Sequence, residues 1–157
     1  EVILQGFIHW GTEICKKLDG MFAFAIYDDQ CDRLFLCRDR IGKKPLFYFL
    51  DDRVFAFASE IKALLKHSWI HRNRNIDYGV MYTFLHLGYV PEAKTPYLYI
   101  HKLAAGHFAF VKRGAEMEIG SFIARPEEAG RIRSGKKADL IAELKRRLVS
   151  AVQKRLM

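Results

Sequence analysis

The stretch from residue 20 to residue 65 constrains the fold more than any other part of the chain. It contains four short apolar runs, at residues 22–27, 34–37, 46–49 and 54–58, separated by turns rich in Asp and Gly. Runs of this kind predict antiparallel strands joined as hairpins. Phe alternates with Ala in the first and last runs, which predicts one bulky face and one face that a second layer approaches closely. A helix is predicted at residues 60–65, with Ser59 as its cap.

Helices and further strands flank this stretch. Apolar residues near a 3.6-residue period predict a helix at residues 1–10, and a shorter one follows at 13–18. Residues 67–75 are interpreted as a polar loop, and Asp77 is expected to cap a helix that ends before Gly88. Strands are predicted at 107–111 and 117–122, a linker at 123–137 and an amphipathic helix at 138–157. The expected class is α+β, with an antiparallel β-meander.

Length and composition limit the classes of function. The 157 residues suffice for one domain with a core, and no apolar run approaches the ~20 residues that cross a bilayer. Cys15, Cys31 and Cys37 are odd in number and lack metal-ligand spacing, which favours structural roles in a reducing, cytoplasmic setting. The six histidines form no metal-binding cluster in the sequence, so no metal ligand is predicted.

The net charge of +8, from 26 basic and 18 acidic residues, raises the hypothesis of a nucleic-acid partner. The basic residues are scattered along the chain, and no aromatic-interleaved basic stripe or nucleic-acid motif accompanies them. A solvated surface explains the charge better than a polyanion partner does. We therefore expect no nucleic acid and no membrane among the partners.

Three phrases carry a family resemblance: DGMFAFAIYD from residue 19, RDRIGKKPLFY from residue 38 and FASEIKALL from residue 57. In this order and spacing they resemble the glutaminase domain of glutamine-hydrolysing asparagine synthetases. That domain is a class II glutamine amidotransferase with an N-terminal-nucleophile (Ntn) hydrolase fold. The resemblance implies a partial αββα sandwich. Three linked phrases are far more specific than one short motif.

The resemblance also implies chemistry that these residues do not carry. Ntn glutaminases use an N-terminal cysteine whose α-amino group is the base, and residue 1 here is Glu. Their glutamine-binding elements would precede residue 1, and the phosphate loop of the synthetase domain would follow residue 157. We therefore expect a piece of a longer protein: residues 1–122 as the C-terminal part of a glutaminase domain, and 138–157 as the first synthetase helix. No catalytic, cofactor-binding or metal-binding residue is predicted within it.

The parent implied by the resemblance uses glutamine, aspartate and ATP with magnesium. Met21 matches a family position that lines the ammonia tunnel, where an apolar wall disfavours protonation to ammonium; the alternative is an ordinary core methionine. Arg38, Asp39 and Lys43 recur in the family signature and could order a loop beside the glutamine pocket, or simply form a salt bridge and a turn. Ser59 and Glu60 are better explained as a helix start than as catalysts.

Two further hypotheses remain open at this point. Relatives that form β-lactams or modify polysaccharides share the same front domain, and only the synthetase pocket could separate them. Alternatively the chain is a non-catalytic remnant that binds a partner. Because part of the sandwich is missing, an apolar face should be exposed, and we expect aggregation or a homodimer when the chain is expressed alone.

Overall fold

The computed structural model describes residues 1–91, 93–112, 117–123 and 135–156. The chain forms two compact units, Glu1–Ile123 and Ala124–Met157. The predicted α+β class, with antiparallel sheets and a C-terminal helix, is confirmed. The helices are α1 Val2–Trp10, α2 Ile14–Lys17, α3 Ile61–Leu64, α4 Ser68–Arg72, α5 Tyr78–Leu87 and α6 Lys137–Gln153. The strands are β1 Ala23–Asp28, β2 Arg33–Arg38, β3 Phe47–Leu50, β4 Phe55–Ala58, β5 Ile100–Lys102, β6 His107–Lys112 and β7 Glu118–Ser121.

The strands of the first unit form two antiparallel sheets. One sheet has the order β1-β2-β6-β7 and the other has the order β4-β3-β5. The four strands predicted in succession are all present, as two hairpins that belong to different sheets. The segment between β2 and β3 therefore carries the chain from one sheet to the other.

Side-chain alternation divides the core into three apolar layers. Phe35 and Cys37 of β2 pack with Phe108 and Phe110 of β6 against the α1–α2 side of the first sheet. Between the sheets, Leu36 of β2 packs with residues from both sheets and their adjoining loops, namely Leu46, Phe55, Leu103 and Ala109. On the far side of the second sheet, its side chains pack against α3 and α4 through Phe49, Leu64, Ile70 and Ile100. The order helix, sheet, sheet, helix is the αββα sandwich expected of a partial Ntn-hydrolase fold.

Two local predictions were wrong. Ser59 does not cap the helix that follows it: Glu60 occupies the cap position in extended conformation and makes no capping side-chain bond, and α3 begins at Ile61. The predicted polar loop at 67–75 contains α4. Its buried Ile70 and the adjacent Trp69 anchor it against the second sheet, and the polar neighbours of these two residues masked that signal.

The cap of α5 was predicted correctly. The Asp77 carboxylate accepts a hydrogen bond from the Val80 N–H at 3.0 Å, and Gly88 ends the helix with a left-handed backbone at φ 75°. In the second unit, α6 confirms the predicted amphipathic helix. The predicted linker lies largely outside the described residues, as residues 124–134 are not described. Among the helices described, none has the length and apolar character needed to cross a bilayer.

Candidate functional site

The segment that joins the two sheets is organised around Asp39, the first residue after β2. Asp39 is 1% exposed. Its Oδ1 accepts hydrogen bonds from the backbone N–H groups of Ile41 at 3.1 Å and Lys43 at 3.0 Å. Its Oδ2 accepts one from the Lys44 N–H at 2.9 Å. One carboxylate thus fixes the backbone of the whole turn.

The backbone of Asp39 ties the same turn to two other parts of the first unit. Its N–H donates to the carbonyl of Phe22 at 2.8 Å, just before β1. Its carbonyl accepts from the N–H of Gly42 at 3.0 Å and from the N–H of Gly106 at 2.8 Å, just before β6. The turn is therefore joined to the beginnings of two strands of the first sheet.

Arg38 closes the turn from the other side. Its guanidinium donates to the carbonyls of Lys44 at 2.8 Å, Leu103 at 2.6 Å and Gly42 at 2.7 Å. Each of these three hydrogen bonds of the Arg38 side chain thus goes to a backbone carbonyl. Gly42 has φ 69°, and a Cβ there would lie 3.0 Å from Arg38 Nη2 and 3.1 Å from Ala105 Cβ. Both conformation and space therefore require glycine.

Burial and hydrogen bonding act against each other on the two charged residues. Burial favours the neutral form of Asp39, but the backbone N–H groups of Lys44, Lys43, Ile41 and Gly42 together outweigh it and hold the pKa below its ordinary value. Burial lowers the pKa of Arg38, and the neighbouring Asp39 charge partly offsets that effect. We call Arg38, Asp39 and the residues they hold the Arg38–Asp39 clamp.

A cavity of about 370 Å³ lies beside the clamp. Its described lining includes Arg38, Gly42, Lys102 and His107. Burial lowers the pKa of Lys102, and the nearby Arg38 charge lowers it further. Nδ1 of His107 lies 2.8 Å from the Ala105 carbonyl, so this nitrogen is placed to carry the proton. The charged groups among these lining residues are cationic, so the cavity favours anionic over cationic groups.

The structure unites only some of the residues singled out from sequence. Lys43 contributes its backbone N–H to the Asp39 carboxylate, while its side chain is exposed. Ser59 and Glu60 lie exposed after β4, and Glu60 pairs with Lys62 at 2.7 Å. Neither has a described contact with the clamp.

Met21 is 57% exposed. It lies next to Phe22, whose carbonyl accepts the Asp39 N–H. Met21 therefore precedes a residue whose backbone is hydrogen-bonded to the clamp.

Sequence reasoning missed two groupings. Lys102 and His107 line the cavity with Arg38, although they lie more than 60 positions further along the chain. Cys15 and Cys37 lie in contact inside the first unit. The first grouping depends on strands and loops that are distant in sequence, and the second depends on packing of α2 against the first sheet. No local spacing in the sequence predicts either. Across the described residues, no group of three or more His, Cys, Asp or Glu side chains could hold a metal ion.

Comparison with known proteins gives one consistent family. Residues 1–122 match the glutamine amidotransferase domain. A Mycobacterium bovis protein named "putative asparagine synthetase (glutamine-hydrolysing)" is 40% identical over 113 residues, which cover 71% of this chain and 17% of the relative. Glutamine-hydrolysing asparagine synthetase 3 of Bacillus subtilis is 46% identical over 67 residues, 43% of this chain and 11% of the relative.

These relatives are much longer than the part that this chain matches. A second glutamine-hydrolysing asparagine synthetase of Bacillus subtilis, numbered 1, is 35% identical over 107 residues, and only 16% of its length is covered. The matches span less than a fifth of each of these three relatives. The domain match, in contrast, covers most of this chain, and the chain therefore belongs to the glutamine amidotransferase domain family.

Proposed function

We propose that this chain is the structural part of a glutamine-dependent asparagine synthetase. In this proposal, residues 1–122 form the C-terminal part of the glutaminase domain, and residues 138–157 form the first helix of the synthetase domain. The observation that carries the proposal is the 1–122 domain match, found in a chain whose relatives are named glutamine-hydrolysing asparagine synthetases. The whole protein would hydrolyse glutamine and use the ammonia to amidate aspartate.

The role proposed for the described residues is support of the reaction by positioning. The Arg38–Asp39 clamp fixes the chain segment that joins the two sheets. The Arg38 side chain donates three hydrogen bonds and the Asp39 carboxylate accepts three. A turn held this firmly can keep a neighbouring glutamine pocket in one geometry, which is what acyl transfer at an amide requires. Met21 would contribute apolar surface to the ammonia passage.

The chain itself would be inactive. Hydrolysis of an amide by this chemistry needs a thiolate with a base beside it. Cys15 and Cys37 are fully buried, and Cys31 is exposed in a turn. The described residues offer none of these three thiols a catalytic base at hydrogen-bonding distance.

ATP and magnesium belong to the proposed synthetase reaction, and the described residues do not fit either group. Magnesium needs oxygen ligands, and the described part of the chain lacks a suitable carboxylate cluster. The sequence contains no Gly-rich phosphate loop. We therefore assign no residue of this chain to either group and place both with a synthetase domain.

The test is to recover the coding DNA on both sides of this sequence and to express the complete reading frame. We expect glutamate release from glutamine, and asparagine formation from aspartate with ATP and magnesium. The 157-residue chain assayed alongside should release no glutamate above the blank. A complete protein that forms no asparagine with either glutamine or ammonia would overturn the proposal. Glutamate release by the short chain would show that a nucleophile lies within it.

A further inference from the structure

Two cysteines far apart in sequence meet inside the first unit. Cys15 lies in α2 and Cys37 lies in β2, the second strand of the four-stranded sheet. Both side chains are 0% exposed. Their Sγ atoms are 3.0 Å apart, with Cys37 as the donor of the hydrogen bond. Within the sandwich, this thiol pair spans the contact between the helical layer and the first sheet.

The surroundings isolate the two thiols as a pair. They lie in the apolar cluster formed with Ile14, Phe35 and Phe122. Because the neighbouring side chains in this cluster are apolar, each thiol is the natural hydrogen-bonding partner of the other. The third cysteine, Cys31, is exposed in the turn between β1 and β2.

The hydrogen bond makes the two sulfurs unequal. The bond donated by Cys37 lowers the pKa of Cys15, and this effect exceeds the opposing effect of burial. The same bond, together with burial, raises the pKa of Cys37 above its ordinary value. Cys15 is therefore the thiol that more readily becomes the nucleophilic thiolate.

We propose that Cys15 and Cys37 form an internal, reversible disulfide when the protein meets a hydroperoxide. The Cys15 thiolate attacks one oxygen of hydrogen peroxide, the O–O bond breaks, and hydroxide leaves, which gives a sulfenic acid. The Cys37 sulfur then displaces the sulfenic hydroxyl as the S–S bond forms. Two thiols and one hydrogen peroxide give one disulfide and two water molecules, so peroxide is reduced as the sulfur pair is oxidised.

The geometry supports bond formation with little rearrangement. A disulfide needs a sulfur separation of about 2.05 Å, so the two atoms must approach by roughly 1 Å. Cys37 is fixed in the sheet by pairing with Phe24 and Phe108 on its two sides. Cys15 lies in a helix of only four residues, so α2 is the element that can move. Hydrogen peroxide is small enough to reach buried thiols during local opening.

The bond would fasten the helical layer to the sheet. It closes a loop that contains β1 and the β1–β2 turn, and so restricts the unfolded chain. In reducing compartments, disulfides are mostly transient or redox-sensing. We therefore expect a dithiol reductant to reduce the Cys15–Cys37 bond by thiol–disulfide exchange. The inference does not depend on the proposed glutaminase role, since it rests on the contact between the two cysteines.

Trypsin makes the test direct. Its cleavage sites place each cysteine in a different peptide: Cys15 in residues 1–16, Cys31 in residues 18–33 and Cys37 in residues 34–38. The folded protein is treated with hydrogen peroxide, remaining thiols are alkylated under denaturing conditions, and the digest is examined by mass spectrometry. We expect a species that joins peptides 1–16 and 34–38 and is two hydrogens lighter than their sum. The Cys31 peptide should be alkylated.

Matched variants separate the proposal from general oxidation. Cys31→Ser should retain the joined species, and Cys15→Ser should abolish it. Oxidation of the wild-type chain should raise the melting temperature by roughly 10 °C, and dithiothreitol should remove that increase. Three alkylated cysteines after peroxide treatment, or a joined species that contains Cys31, would overturn the proposal. Both outcomes are read from wild-type protein, so a variant that fails to fold does not decide the matter.

Discussion

At the scale of single residues, Asp39 is the side chain on which the clamp depends most. The Asp39 carboxylate accepts hydrogen bonds from the backbone N–H groups of Ile41, Lys43 and Lys44. In Asp39→Asn one of its two oxygens becomes an amide nitrogen, which cannot accept a hydrogen bond from an N–H group. Leaving a buried donor unpaired costs about 1–3 kcal/mol. We expect the free energy of unfolding, measured by urea denaturation, to fall by about that amount.

The matched control is Asp29→Asn. Asp29 is exposed in the turn between β1 and β2, and the substitution makes the same chemical change. Surface changes of this kind alter the free energy of unfolding by less than about 0.5 kcal/mol. Equal losses in the two variants would contradict the role given to the Asp39 carboxylate.

The same carboxylate predicts a pH dependence. Because its folded pKa is depressed, ionised Asp39 contributes stability above its unfolded pKa of about 3.9, and this contribution is lost as pH falls through the lower folded value. The pKa of Asp51 is also lowered, where the Trp69 indole and two backbone N–H groups outweigh burial. The pH dependence of the wild-type free energy of unfolding would therefore contain contributions from both Asp39 and Asp51.

The difference in unfolding free energy between wild type and Asp39→Asn isolates one residue. Asn has no charge to lose, so that difference should be largest near pH 6 and should narrow as pH falls below about 4. Urea denaturation of both proteins at several pH values measures it. A difference that stays constant down to pH 3 would mean that the charge of Asp39 contributes nothing.

At the scale of secondary-structure elements, the packing of one sheet on the other gives the sharpest prediction. Leu36 is fully buried between the sheets, in contact with the cluster that contains Leu46 and Leu103. Leu36→Ala should lower the free energy of unfolding by about 2–5 kcal/mol, since it removes buried apolar groups and leaves a cavity. Ile41→Ala, at a side chain that is 78% exposed, removes a comparable number of carbons and should change it by less than about 0.5 kcal/mol.

Some secondary-structure elements could be predicted from the sequence, and others could not. β1 and β6 were predictable because Phe and Ala alternate, and the structure places Phe24, Phe108 and Phe110 on the helical side. The pairing of β2 with β6 was not predictable, because Leu36 lies opposite Ala109, 73 positions away. Helix α4 was missed because two apolar anchors among polar neighbours form no long periodic pattern.

The candidate site divides in the same way. Arg38 and Asp39 could be selected because a charged run and a glycine interrupt two apolar runs, which marks a constrained turn. Their partners could not, because the Leu103 carbonyl and the Gly106 N–H come from the distant segment between β5 and β6. Ser59 was assigned as a cap from residue type alone, and the actual helix start depends on where β4 ends.

At the scale of the whole molecule, the second unit presents an apolar stripe on α6. Leu140, Ile141, Leu144, Leu148 and Val152 are 42% to 58% exposed. A stripe of this kind on an amphipathic helix gains free energy by burial against a partner surface. For the chain as it stands, the partner always present at high concentration is a second copy, so we expect the chain to associate with itself.

The final prediction is that this association depends on the stripe. The double variant Leu144→Gln and Leu148→Gln removes two exposed apolar side chains from the middle of α6, while Gln retains a helix propensity close to that of Leu. Lys137→Gln with Lys145→Gln, on the same helix, is the control with an equal number of new glutamines. Light scattering after size-exclusion chromatography, over a range of concentrations, should show association for wild type and control and a much smaller associated fraction for the leucine variant. Because the control also lowers the positive charge, equal loss of association in both variants would assign the contact to charge, and a wild-type monomer at every concentration would contradict self-association through α6.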